Sequence, residues 1–182
     1  MGEVGERLAH FTKNAQQFSS VIAQDPFKEE MLYASNWNKQ SKATMLRGIN
    51  VFSPCALGGS VNHEVLDTMV ARDVIVPGAN NPEESEEMLD LLMDKGIIMV
   101  PAFVANNGGV KMIAHTIENP NSNYSDKEMV DNLKKNLQLT TDILTRSKEE
   151  GVNPTATAIR MANEIIKIKL PDYCMCPYGS DC

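Results

Sequence analysis

An open parallel β-sheet with helices on both faces, the doubly wound α/β class, is what this 182-residue sequence predicts. Three observations carry the prediction. Between residues 50 and 100 short apolar runs alternate with amphipathic helical stretches, as expected when each parallel strand returns through a helix. Prolines such as Pro26 and Pro101 stop the apolar runs sharply. The length suits one domain with its own core and is too short for two full ones.

The elements follow in order. Val4, Leu8 and Phe11 are spaced for a short helix over Val4 to Thr12. Phe18 to Asp25 reads as a brief apolar strand ending in an acid, with Pro26 turning the chain. Residues 35–48 are polar, poorly periodic and assigned to a connector, with Trp37 as a packing anchor. Asn50 to Pro54 is a strand, and Asn62 to Val70 a helix with Val65, Leu66 and Met69 on one face. After the strand Val74–Val76, Asn81 and Pro82 supply an N-cap and a first-turn proline. Glu83, Glu84, Glu86 and Glu87 suit the positive end of that helix, which Gly96 ends.

Ile97 to Val100 is the next strand, and the remainder is helical. Ser125 and Glu128 form a capping box ahead of a stripe of Val130, Leu133, Leu137 and Leu144 that runs towards Gly151. A last helix opens at Asn153-Pro154, presents Ile159, Ala162 and Ile166, and stops before Pro171. Scattered over these faces, the eleven methionines read as core filler.

Bulk composition excludes several functions. A net charge of −7 argues against a nucleic-acid partner, whose phosphates must be met by Lys and Arg. No apolar run approaches the roughly 20 residues that cross a bilayer. The start of the chain, Met1 to Arg7, lacks the basic and apolar segments of a secretory signal, so a cytoplasmic location is expected. Four cysteines, three of them (Cys174, Cys176, Cys182) crowded at the end, do not make a disulfide scaffold.

In a doubly wound sheet the ligand sits beyond the carboxyl ends of the strands, so the strand exits are where chemistry is sought. Gly2-x-x-Gly5 heads the first helix like the last two glycines of a G-x-G-x-x-G turn, which bring backbone N–H groups to a pyrophosphate. Two glycines three apart also arise by chance. Asp25, 20 residues past Gly5, strengthens the motif, since a strand-end carboxylate accepts from a ribose 2′-hydroxyl and repels a 2′-phosphate. Taken alone, Asp25 is equally a turn-forming acid before proline. Together they point to a dinucleotide, NAD rather than NADP.

Pro54-Cys-Ala-Leu-Gly-Gly59 brings small residues to the next exit, so that backbone near Cys55 and Ala56 can approach a flat ligand. On chemistry alone Cys55 is a buried, unreactive thiol. Gly78-Ala-Asn-Asn81 and Asn106-Asn-Gly-Gly109 add carboxamides, which both donate and accept and so suit a ribose hydroxyl or an amide. Their plainer roles are a helix cap at Asn81 and a turn at Asn107-Gly108. His10, His63 and His115 lie apart from any set with metal or nucleophile spacing and are assigned structural or surface roles, with no metal site.

The loops Pro54-Cys-Ala-Leu-Gly-Gly59, Gly78-Ala-Asn-Asn81 and Gly96-Ile…Pro101-x-Phe-Val-x-Asn106-x-Gly-Gly109 resemble, in order and spacing, those of glutamate/leucine/phenylalanine/valine dehydrogenases, most nearly the leucine and phenylalanine types. The resemblance runs from Gly2 to about Ile166. It implies a Rossmann-like NAD-binding domain over 1–168, a cysteine-bearing tail over 169–182, and the reversible oxidative deamination of an L-amino acid to a 2-oxo acid. By position it implies Gly2 and Gly5 at the pyrophosphate and Asp25 at the adenosine ribose. Cys55 and Ala56 would lie beside the nicotinamide through their backbone, Asn80 at its ribose and Asn106 at its carboxamide. Pro154 to Ala162 would lean towards the substrate side chain, and the complete protein would be a homo-oligomer.

Departures from the family pattern shape the expectation. The sheet is expected to lack its first strand, and the glycine turn its first glycine. The substrate domain, whose lysines and aspartate do the acid–base chemistry in family members, is expected to be missing. The chain therefore reads as the cofactor-binding portion of a longer dehydrogenase, with Met1 internal and no catalytic residue assigned. The alternative is a non-catalytic NAD-binding or regulatory partner of a full-length enzyme. Ala102 stands where the family usually has aspartate, and the 35–48 connector is shorter than expected. The tail matches nothing in the family. Its three thiols could bind zinc with one outside ligand, but the reading adopted is a disordered, redox-exposed tail.

Overall fold

The computed structural model describes residues 3–15, 18, 19, 21–23, 46–121 and 124–169. Helix α1 spans Glu3–Asn14. There follow β1 (Val51–Phe52), α2 (His63–Thr68), β2 (Val74–Ile75), α3 (Glu86–Asp94) and β3 (Ile98–Met99). Four helices complete the described chain: α4 (Ala102–Ala105), α5 (Gly108–Glu118), α6 (Asp126–Glu150) and α7 (Pro154–Lys169). The class is α/β, with three parallel strands in the order β1-β2-β3.

Period two in the strands decides which residues make the core. Phe52, Ile75 and Met99 lie side by side in register on one face. Ile75 and Met99 are buried there with Val65 of α2, Met69 just after it, and Met88, Leu89 and Leu92 of α3, and Phe52 packs against the group. The backbone ladder reaches beyond the short strands: Val74 N donates to Asn50 O, Val76 N to Phe52 O and Val100 N to Ile75 O, each at 2.9 Å. Val51, Val74 and Ile98 share the other face, where Val51 and Ile98 remain exposed. A second, smaller core joins Val104 of α4, Ile143 of α6 and Ala158 of α7, with Met161 packed on it. Helix α7 also packs against β3.

Local chemistry sets the helix ends. Asn62 caps α2 by accepting from Val65 N, and Ser125 with Glu128 forms the full capping box of α6. Gly96 after α3 and Gly151 after α6 take the left-handed backbone (φ +78° and +64°) that a side chain would strain. Asn153 Oδ1 accepts from Ala156 N and caps α7.

Three expectations change. Helix α3 does not start at Asn81-Pro82. Asn81 has φ +45° and turns the chain, Pro82 O accepts from Val61 N, and the helix begins at Glu86 after Ser85. In α6 the buried positions are Ile143 and Ser147, whereas Leu133 and Leu137 are 62% and 70% exposed. The buried residues of α6 lie in its second half, and its first turn meets α5 through Glu128, 3.7 Å from His115 Nδ1. Likewise α7 buries Thr157 and Ala158 and leaves Ile159 exposed. Of the strand expected over 18–25, residues 18, 19 and 21–23 lie in no ladder, and Asp25 is outside the described residues. Gly2, Trp37 and the tail from 170 onward also lie outside them.

Helices α6 and α7 are joined by ion pairs. The Arg146 guanidinium donates to both carboxylate oxygens of Glu164 (2.8 and 2.7 Å) and to Glu150 (2.9 Å), and Arg160 pairs with Glu150. Hydrogen bonding from Arg146, followed by its charge and those of Arg160 and Lys167, holds the Glu164 carboxyl below its ordinary 4.5. At α6's start the Ser125 hydroxyl and N–H lower the Glu128 carboxyl in the same way, with the nearby His115 adding to it. A depressed folded-state value stabilises the fold above the ordinary pH of 4.5 and is lost as pH falls through the lower folded value. Urea midpoints should therefore fall on acidification below that pH, and Glu164→Gln should flatten the fall. An acid limb unchanged in Glu164→Gln would remove the pair from the account. No helix of the described residues is long and apolar enough to cross a membrane.

Candidate functional site

Because the strands are parallel, all three carboxyl ends open on one edge of the sheet. The exits of β1 and β2 are tied together by backbone. Pro54 O accepts from Gly78 N and Ala79 N, both at 2.9 Å. Beyond it Gly59 N donates to Asn81 O (3.1 Å), Val61 N to Pro82 O (2.7 Å) and Glu84 N to Val61 O (2.9 Å). Two glycines make that approach possible. A Cβ on Gly58 would stand 2.9 Å from Asn81 O, and one on Gly78 would stand 2.7 Å from Cys55 Sγ and 3.4 Å from Val4 Cγ1. The last contact sets the first turn of α1 against the strand exits, and Gly5, in that turn, is buried. Its partner Gly2 lies outside the described residues.

The two expected asparagines meet. Asn106 Nδ2 donates to Ala79 O (3.1 Å) and to Asn80 Oδ1 (2.7 Å). A backbone carbonyl only accepts, so the bond to Ala79 fixes which end of the Asn106 amide points inward. The Asn80 amide must then offer its oxygen to Asn106. Among the described residues nothing donates to Asn106 Oδ1, and nothing accepts from Asn80 Nδ2. The pair thus displays one acceptor and one donor side by side, which complements a carboxamide or a hydroxyl. Asn106 is the C-cap of α4, where its N–H donates to Ala102 O at 2.9 Å. Ala102, the aspartate departure, contributes here through its backbone.

Cys55 is half-buried, with Sγ 3.5 Å from Ser53 Oγ, and Ser53 Oγ in turn donates to Val76 O at 2.8 Å. Ala56 is exposed at the same exit. Asn81 serves as a turn residue rather than a cap. The start of α7 is held close by: Asn153 Nδ2 donates to Asp90 Oδ1 of α3 (2.6 Å), and Ala158 packs on Val104 at the β3 exit.

Sequence reasoning missed Asn136. From α6 it donates through Nδ2 to Val104 O (2.9 Å) and accepts at Oδ1 from Asn107 Nδ2 (2.8 Å) and Lys111 Nζ (3.4 Å). Nothing in the sequence marks it, because an asparagine between Lys135 and Leu137 looks like any polar residue on a helix surface.

The residues present fit a dinucleotide. Glycines let the β1 and β2 exits meet, the first turn of α1 with its buried Gly5 adjoins them, and the asparagine pair leaves complementary groups open.

The sequence model of the glutamate/leucine/phenylalanine/valine dehydrogenases matches residues 4–170. The chain is 27% identical over 176 residues to the phenylalanine dehydrogenase of Thermoactinomyces intermedius, covering 94% of this chain and 46% of that protein. To the valine dehydrogenase of Streptomyces albus it is 30% identical over 119 residues, 65% of this chain and 31% of that protein. The crystal structure of L-tryptophan dehydrogenase from Nostoc punctiforme superimposes with a TM-score of 0.60 at 26% identity, over 68% of this chain and 35% of that one. The chain spans less than half the length of these relatives. With its strand-exit loops and parallel sheet in the expected order, the chain belongs to the glutamate/leucine/phenylalanine/valine dehydrogenase family.

Proposed function

We propose that this chain is the cofactor-holding portion of an NAD-dependent amino-acid dehydrogenase. The reaction converts an L-amino acid, NAD⁺ and water to a 2-oxo acid, ammonium, NADH and a proton. The observation that carries the reading is the Asn80–Asn106 pair, with one donor and one acceptor open at the strand exits beside α1. When bound, the nicotinamide supplies the acceptor for hydride from the amino acid's α-carbon.

The chain's own residues bind and orient. Asn106 Oδ1 takes an N–H of the carboxamide and Asn80 Nδ2 donates to the nicotinamide ribose. The small loop at Cys55 and Ala56 lets the ring lie close to the backbone. Gly2 and Gly5 bring the α1 N–H groups to the pyrophosphate. Asp25 at the adenosine ribose selects NAD over NADP, since a 2′-phosphate would meet a carboxylate. The binding unit runs over 1–168. Acid–base steps are assigned to no residue of this chain. Relatives named for phenylalanine, valine and tryptophan support an apolar amino acid as the substrate class.

Calorimetric titration of the chain tests this. NADH should bind saturably and NADPH more weakly. No binding of NADH at about 1 mM, the upper end of ordinary Michaelis constants, would overturn the reading. With NAD and a panel of L-amino acids the chain alone should show no turnover. Turnover would mean that acid–base groups lie within it.

A further inference from the structure

We infer that Asn136, midway along α6, is a positioning residue for the nicotinamide end of the cofactor, acting through Asn106 without touching the ligand. The inference rests on the cofactor reading above. Its basis is where the three bonds of Asn136 land. Val104 O, taken by Nδ2 at 2.9 Å, lies two residues before Asn106, and Asn107 Nδ2, accepted by Oδ1 at 2.8 Å, lies one residue after it. The side chain therefore holds the turn on both sides of Asn106, at the Val104 carbonyl before it and at the Asn107 side chain after it. Lys111 Nζ, 3.4 Å from the same Oδ1, extends the grip to the first turns of α5.

The orientation of that amide is determined by its partners. Val104 O can only accept, and Lys111 Nζ can only donate, so Nδ2 and Oδ1 of Asn136 are fixed in place. No other carboxamide orientation satisfies both sides. On the far side Asn106 Nδ2 is spent on Ala79 O and Asn80 Oδ1. Asn106 is thus held from the β2 exit by its side chain and from α6 through its flanking residues. Only Oδ1 is left to meet a ligand.

Helix α6 is a firm support for this. Ile143 anchors it in the second core, and Arg146 ties it to Glu164 of α7. Asparagine is a poorer helix former than alanine, leucine, glutamate or lysine.

The experiment compares two ligands on the full chain: NADH, and ADP-ribose, which shares the adenosine, pyrophosphate and ribose but lacks nicotinamide. In Asn136→Ala the affinity for NADH should fall about tenfold, as when one well-made hydrogen bond is lost. ADP-ribose should stay within about twofold of the parent. Asn107→Ala cuts the same link from the loop side and should give the same split. It also stands in if Asn136→Ala does not fold, as judged by its melting curve. Equal losses for both ligands, or unchanged NADH affinity, overturn the positioning role while leaving the cofactor reading intact. Failure of that reading is distinguishable, because the unsubstituted chain would then bind neither ligand, and the role of Asn136 would fall with it.

Discussion

Leu92→Ala is expected to lower the stability of the folded chain by about 3 kcal/mol, seen as a reduced urea midpoint with little change in slope. Leu92 is 1% exposed and sits in α3 where the helix meets the sheet. Its neighbours in the cluster come from around three elements: Val65 of α2 with Met69 just past its end, Ile75 of β2 and Met99 of β3. Truncation leaves a cavity walled by separate elements whose positions are set by the parallel ladder, so the walls cannot collapse onto it fully. Against a usual total of about 5–15 kcal/mol, the loss is a large fraction. Leu137→Ala supplies the contrast. That leucine is 70% exposed on α6, and its removal should change stability by no more than about 0.5 kcal/mol. If Leu137→Ala cost as much as Leu92→Ala, the assignment of the core to the α2–α3 face would be wrong.

That contrast also marks what could be read from the sequence. Elements with a local cause were legible: the Ser125–Glu128 box and the helix end at Gly96, which takes the left-handed backbone. Each depends on residues a few positions apart. The strands were legible as apolar runs, but their pairing is set by partners 23 or 24 residues away, as in Val51 with Val74 and Val74 with Ile98. Where tertiary structure overrides a local signal, the sequence misleads. Asn81-Pro82 looks like a helix start, yet Asn81 O and Pro82 O are taken by the loop around Gly59 and Val61, which draws the segment into a turn. Periodicity in α6 likewise finds an apolar stripe without telling what it faces, and burial falls on Ile143 and Ser147 instead.

The site divides in the same way. Asn80 and Asn106 were picked out for their place after strands, and they hydrogen-bond to each other across 26 residues of sequence. Cys55 and Ala56 lie at the neighbouring exit, where the Cys55 side chain comes close to Gly78. Asn136, on a helix with no glycine or proline nearby, carries no local signature. Only the fold brings it to Val104 and Asn107.

Gly58→Ala is expected to weaken NADH binding by about tenfold or more and to cost about 1–3 kcal/mol of stability, the usual range for forcing an extra methyl into a filled space. The new Cβ would lie 2.9 Å from Asn81 O. That oxygen belongs to the backbone and already accepts from Gly59 N, so it cannot swing aside as a side chain would. The β1 and β2 exits must separate instead. Cys55 and Ala56 lie on one of them and Asn80 on the other, so any separation changes the width of the site between them. Asn80 would also move relative to Asn106, whose flanking residues Asn136 of α6 holds back. A loss of NADH affinity larger than the loss of ADP-ribose affinity would identify the nicotinamide end as the part disturbed. Parent-like binding of both ligands by Gly58→Ala would show that the two exits can part without consequence, and the site could not then depend on their being joined.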